Sequence, residues 1–138
     1  MAASVQLLQP EGLGEPIGLY SHGALISRPN RLLHVAGQLA VGRDGHVVGA
    51  GDFDTQMRQA FTNMSYVLGA ADMEFADVLK FTTYLIEPSD VESFYATRAE
   101  LFPTMFPTAA YPPNTLLVVQ RLVRPEFLIE IEAVAGQA

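Results

Sequence analysis

Cysteine is absent from the 138 residues, and so is tryptophan. The first absence removes disulfides, thiolate nucleophiles and Cys-ligated zinc together. The second leaves no indole platform for a sugar, so a pair of neighbouring carboxylates has no support here as a glycosidase couple. Basic residues are few: 8 Lys and Arg stand against 15 Asp and Glu, for a net charge of −7. No basic cluster is interleaved with aromatics, so a nucleic-acid partner has no electrostatic footprint. No apolar run reaches about 18 residues, so no membrane-spanning helix is expected. The opening MAASVQLLQPEG lacks the basic start and apolar core of a secretory signal. The expectation is a soluble cytoplasmic protein, a single domain over 1–138 that buries roughly two-thirds of its unfolded surface.

What is present is hydrophobic sequence, 49% of the chain. The stretch YPPNTLLVVQRLVRPEFLIEIEAVA, residues 111–135, reads as two consecutive strands. Leu116, Leu117, Val118 and Val119 are apolar without a break, as in a strand covered on both faces. From Phe127 to Ala135 the pattern alternates. Phe127, Ile129, Ile131, Ala133 and Ala135 share one face, and Leu128, Glu130, Glu132 and Val134 share the other. Glu130 and Glu132 therefore stand side by side, with roughly 6–7 Å between their Cα atoms. That pattern suits either a site or an acidic pair facing water. A carboxylate inside an otherwise apolar strand needs a reason, which makes Glu130 the first candidate for chemistry.

The rest of the chain frames this stretch. Residues 1–16, with Pro10, Gly12, Gly14 and Pro16, read as an irregular lead-in. Gly12-Leu13-Gly14 has neither the preceding strand nor the third glycine of a phosphate loop. Strands are expected at Ile17–Ile26 and Leu32–Ala36, and a tight hairpin at Asp44-Gly45. Phe53, Met57, Ala60, Phe61, Met64, Val67, Leu68 and Ala71 recur at steps of three and four, which predicts a helix over 52–71 capped by Asp52 or Asp54. DVLKFTTYLI, residues 77–86, predicts a strand with Leu79, Phe81, Thr83 and Leu85 on one face and Val78, Lys80, Thr82, Tyr84 and Ile86 on the other. A second helix is expected from Ser89, with Glu92 completing a capping box and Pro103 ending the helix. Two such helices cover only one face of a five- or six-stranded sheet, so identical copies are expected to cover the other. His22, His34 and His46 recur every twelve residues; His34 shares a face with Leu32 and Ala36 and reads as a hydrogen-bonded packing residue, and no metal site is expected.

Tyr20-Ser21, Ala36-Gly37-Gln38, the helix positions Asp52, Gln56, Arg58 and Asn63, DVLKFTTYLI, and Glu130-Ile131-Glu132-Ala133-Val134-Ala135 together carry a resemblance. From Tyr20 to Ala135 the chain resembles the RidA/YjgF (Rid) superfamily. The resemblance implies an α+β, chorismate-mutase-like (YjgF-like) fold with a mixed or antiparallel six-stranded sheet and two helices on one face. It also implies a homotrimeric barrel whose small-molecule sites lie at subunit interfaces. Archetypal members hydrolyse reactive imines or enamines to a ketoacid and ammonia without a cofactor of their own, and an Arg on the penultimate strand clamps the substrate carboxylate.

Counted back from Glu130, that Arg position falls on Thr115, and a position commonly Cys falls on Leu117. The motif Ser before Gly37 is Ala36, and a helix Asn is replaced by Tyr95. The chain thus resembles a divergent, Arg-less member. Loss of such a charge partner costs on the order of 2–5 kcal/mol, or some thirty- to several thousand-fold on a small anionic imine. Thr115 brings a hydroxyl but no charge. Arg98, Arg121 and Arg124 are candidates to supply the cation, with Arg121 first because it shares strand parity with Thr115. By the same resemblance Glu130 orders the attacking water, Gly37 and Thr115 hold a substrate oxygen, and Tyr20 covers the reacting group. Tyr20 as a mere packed aromatic, and Gly37 as a mere turn residue, remain alternatives. The expected function is hydrolysis of an imine, enamine or related C–N bond with an altered substrate range. The alternative is a non-catalytic small-molecule-binding or interaction trimer. The family's older label as an endoribonuclease fits an acidic chain poorly.

Overall fold

A computed structural model describes residues 5–138, and the first four residues of the lead-in lie outside it. In chain order the elements are β1 (Val5–Leu8), β2 (Gly23–Ile26), β3 (Arg31–Gln38), α1 (Phe53–Ala70), a 3-10 turn (Phe75–Asp77), β4 (Val78–Leu85), α2 (Asp90–Met105), β5 (Asn114–Val118) and β6 (Ile129–Gln137). The main sheet has the order β3-β6-β4-β5, and β1 pairs with β2 in a separate two-stranded sheet. Strand β6 runs antiparallel to both neighbours, whereas β4 and β5 are parallel, with α2 as the crossover between them. The architecture is α+β with a mixed sheet, and the expected six strands fall into two sheets rather than one.

The core forms between the helices and one sheet face. Met57, Ala60, Phe61, Met64 and Leu68 of α1 are buried against Val35, Ile129, Ile131, Ala133 and Ala135. The predicted alternation of β6 is therefore realised. A ring cluster of Phe61, Phe81, Phe102 and Phe106 joins α1, β4 and α2 by edge-on and tilted contacts of 5.0–6.3 Å. Helix α1 starts as the sequence implies: Asp52 accepts from the Thr55 amide at 3.3 Å and from its hydroxyl at 2.8 Å. Its Gln56 is fully buried, donating to the Gly49 and Glu126 carbonyls and accepting from the Leu128 amide, so one side chain pins the lead-in to β6. Asn63 does the same for the turn below β3, donating to the Leu39 and Val41 carbonyls. That turn closes through the Val41–Val47 bridge, with Gly45 at φ 85°.

Several expectations give way. The lead-in is not wholly irregular, because Val5–Leu8 pairs with Gly23–Ile26. The first long strand shrinks to Gly23–Ile26; residues 17–22 instead turn, with the Tyr20 amide donating to Gly18 and the Ser21 hydroxyl to the Tyr111 carbonyl at 2.6 Å. In β4 a register shift between Val78 and Lys80 turns Val78 inward, so it is buried with Phe81 rather than facing away. Ser89 makes no capping bond: it already has helical φ and ψ, and the start is made by a turn in which Asp90 and Val91 donate to Glu87 and Pro88. Pro103 does not end α2, which continues to Met105; Pro103 and Ala99 lie on the solvent side, where water can take the carbonyl that proline leaves free. His34 lies exposed beside exposed Leu32 and Ala36 rather than packed. Finally, β5 is an edge strand: Leu116 turns to the core, but Leu117 and Val118 are each 44% exposed. Among the described residues nothing covers its open face, where Leu117 lies.

Candidate functional site

The residues expected to form one site divide between the two faces of the sheet. On the open face, β4 and β6 place Tyr84 opposite Glu130 and Thr82 opposite Glu132. Tyr84 donates its hydroxyl to Glu132, which fixes that carboxylate and raises the phenol pKa. Glu130 lies against Gly37 of β3, where a methyl group would overlap its carboxylate. A larger residue at 37 would require the Glu130 carboxylate to move from its present position. Burial first, and the Glu132 charge second, push the Glu130 carboxyl above the usual range for glutamate. The open face thus carries a carboxyl that takes and releases protons nearer neutrality than an ordinary one.

The other half lies behind the edge strand, on the helix side. A cavity of about 160 Å³ is walled by Ile17, Gly18 and Tyr20 of the turn before β2 and by Tyr95 and Arg98 of α2. Asn114 and Leu116 of β5 close it from the sheet. Asn114 shows its orientation through Thr83, whose hydroxyl donates to Asn114 Oδ1 at 2.8 Å. Arg98 is 3% exposed, and its guanidinium lies 5.0 Å from the Phe94 ring centroid, 5.3 Å from Tyr95 and 5.9 Å from Phe102. Among the described residues no carboxylate pairs with it, and its Nε is buried without a hydrogen-bond partner. Burial pushes its pKa down from the usual arginine value, but a guanidinium stays protonated. An unpaired buried charge of this kind costs several kcal/mol.

Strand parity accounts for where the expected residues went. Thr115 and Leu117 face the open side, in register with Thr82 and Tyr84, and Lys80 donates to the Thr115 hydroxyl at 2.8 Å. Asn114 and Leu116 take the cavity side. Parity alternates along β5, so neighbouring residues of the strand serve opposite faces of the sheet. Arg121 does not share β5 parity, since β5 ends at Val118; it donates to the Leu122 and Val123 carbonyls of its own loop. Arg124 pairs with Glu126 at 3.1 Å and lies over Phe127. Of the three arginines, Arg98 alone lines the cavity. Tyr20 and Tyr95 join it there, while Gly37 and Glu130 lie together on the opposite face. The signal for Arg98 was present in the sequence: with Phe94 and Phe102 it recurs every four residues, a charge on the apolar stripe of α2.

The α+β fold with a glycine-backed glutamate is the class these features define, and comparison with known proteins gives the family. The family model described as Endoribonuclease L-PSP matches residues 13–137. A RutC family protein of Pyrococcus horikoshii is 32% identical, over 94% of this chain and 96% of its own. The human 2-iminobutanoate/2-iminopropanoate deaminase is 31% identical, over 88% of this chain and 82% of its own. A solved Rid-family structure from Yersinia pestis, a protein of unknown function, superposes with a TM-score of 0.83 at 31% identity, covering 96% of this chain and 98% of that one. The chain belongs to the RidA/YjgF (Rid) family.

Proposed function

We propose that the protein is a cytoplasmic homotrimeric hydrolase of reactive imines or enamines, releasing a carbonyl product and ammonia. The observation that carries this reading is Glu130, held flat against Gly37 with its carboxyl pKa raised by burial and by Glu132. Such a group removes a proton from water as the water oxygen bonds to the imine carbon and the C=N π electrons move to nitrogen. The protonated Glu130 then returns the proton to nitrogen. Glu130 then carries the adduct's hydroxyl proton to the same nitrogen, and the adduct collapses to the carbonyl as the C–N bond breaks and ammonia leaves. The named activity of the human relative at 31% identity supports the same chemistry.

Oligomerisation follows from the division of the site. Glu130 and the Tyr20 cavity lie on opposite faces of one sheet, so a single chain cannot present both to one substrate. Exposed Leu117 and Leu32 on the open face suit burial against further copies, with the sheets forming a central barrel. The ribonuclease in the family description finds no support in a chain of net charge −7 without a basic groove. A second reading, a binding trimer without catalysis, is favoured by one observation: the family motif residues before Gly37 and on α2 are here Ala36, which sheds a hydroxyl, and Tyr95, which enlarges the side chain.

A coupled assay separates the two readings. An amino-acid oxidase generates imines, and semicarbazide traps what survives. The hydrolase reading expects the wild-type protein to reduce the trapped signal and Glu130→Gln to leave it at the level without protein. Equal signals for wild type and variant, over several amino acids, would exclude catalysis by Glu130 and leave the binding reading.

A further inference from the structure

We infer that Tyr84 is a positioning residue for Glu130: by donating its hydroxyl to Glu132 it commits one carboxylate of the neighbouring pair as an acceptor and leaves the other free to exchange the proton. The inference rests on the reading of Glu130 as the base and gives the reason why Glu130, rather than Glu132, serves.

The two carboxylates start out alike, two residues apart on the open face of β6. Their neighbours set them apart. On β4, Tyr84 is the register partner of Glu130, and Thr82 is the partner of Glu132. Yet the Tyr84 hydroxyl bypasses its own partner and donates to Glu132 at the diagonal position, a reach that aromatic side chains have. Glu130 instead lies against Gly37 of β3, and among the described residues no side chain donates to it. The basic side chains of this face are further off. Lys80 of β4 and His34 of β3 both stand opposite Val134, two pairs along β6 from Glu130. Lys80 is turned away to the Thr115 hydroxyl of β5, 2.8 Å from it. Leu117, the β5 partner of Tyr84, brings no charge.

A hydroxyl that donates to a carboxylate favours its charged form, so a proton arriving at the pair goes to the member without a donor. That member is Glu130, whose ionised form is opposed by burial and by the Glu132 charge. The phenol keeps its own proton throughout. Its bond to Glu132, then burial, then the charges of Glu132 and Glu130 raise its pKa above the ordinary tyrosine value. Tyr84 therefore remains a donor wherever a glutamate titrates.

A pH titration of the intact protein, followed by the carboxyl carbon-13 signal of Glu130, tests this and needs no turnover. The signal is assigned by its disappearance in Glu130→Gln. In the wild-type protein Glu130 should titrate in a single step above the ordinary glutamate range. Tyr84→Phe removes the hydroxyl and keeps the ring. In that variant the Glu130 signal should move in two steps, with part of the change displaced to lower pH, because the pair's first proton is then divided between the two carboxylates. Glu132→Gln leaves one carboxylate, and adding Tyr84→Phe to it should change nothing, since Tyr84 acts through Glu132. A purely structural role for Tyr84 would move the signal in both backgrounds. In imine hydrolysis the acid limb of kcat/KM should broaden in Tyr84→Phe in the same way. A protein without hydrolase activity would still show the titration, so the two proposals fail separately. A single unmoved step in Tyr84→Phe, or a change that persists in the Glu132→Gln background, would overturn the assignment.

Discussion

At the scale of single residues, the account turns on two groups whose surroundings work against their charge. Glu130 is burdened by burial and by Glu132, and Arg98 by burial alone. The first gives a pH dependence with a defined sign. Glu130 acts as a base only when ionised, and its raised pKa places ionisation above the ordinary glutamate range, so activity on the acid limb rises with pH through that value. Glu132→Gln removes the second cause of the shift and keeps the first. Its acid limb should move to lower pH without reaching that of an unburied glutamate, as read from kcat/KM against pH. An unmoved limb would mean that another group sets it. Glu130 was legible in the sequence because a carboxylate breaks an apolar alternation. Arg98 was legible only as one arginine among three; that Arg121 would bond its own loop depends on where β5 ends, which no periodicity states.

At the scale of elements, pattern succeeded where burial is one-sided and failed where backbone geometry decides. The stripe of α1 and the alternation of β6 each follow from a single face meeting the core. The two helix starts contrast instructively. Asp52 and Ser89 both have the composition of a cap, but only Asp52 has extended backbone and a bonded side chain. Accordingly, Asp52→Ala should lower stability by about 1 kcal/mol, whereas Ser89→Ala should change it by less than about 0.5 kcal/mol in denaturant unfolding. Similar losses at both positions would contradict the capping geometry. The register shift in β4 and the misplaced parity of Arg121 share a cause: alternation reports parity only while the strand stays regular. One irregular residue moved Val78 into the core, and parity along β5 leaves Thr115 and Leu117 on the open face while Asn114 and Leu116 line the cavity.

At the scale of the whole molecule, the described chain carries two half-sites that face apart. Its open sheet face carries Leu117 and Leu32 exposed on the same side as Glu130 and Tyr84. The apolar run at 116–119 raised the expectation of a second cover, and in the described chain Leu117 and Val118 are exposed. No helix among the described residues is long and apolar enough to cross a membrane. The central claim is that one substrate meets Glu130 of one copy and the Arg98 cavity of the next. Mixing subunits tests it most directly, with Glu130→Gln and Arg98→Met each prepared alone and then co-assembled, and imine loss measured in the coupled assay. Each variant alone should be nearly inactive. Random co-assembly should restore roughly a quarter of the wild-type rate, because that share of interfaces unites an intact Glu130 with an intact Arg98 from different chains. A mixture no more active than the two variants added together would contradict a site shared between copies.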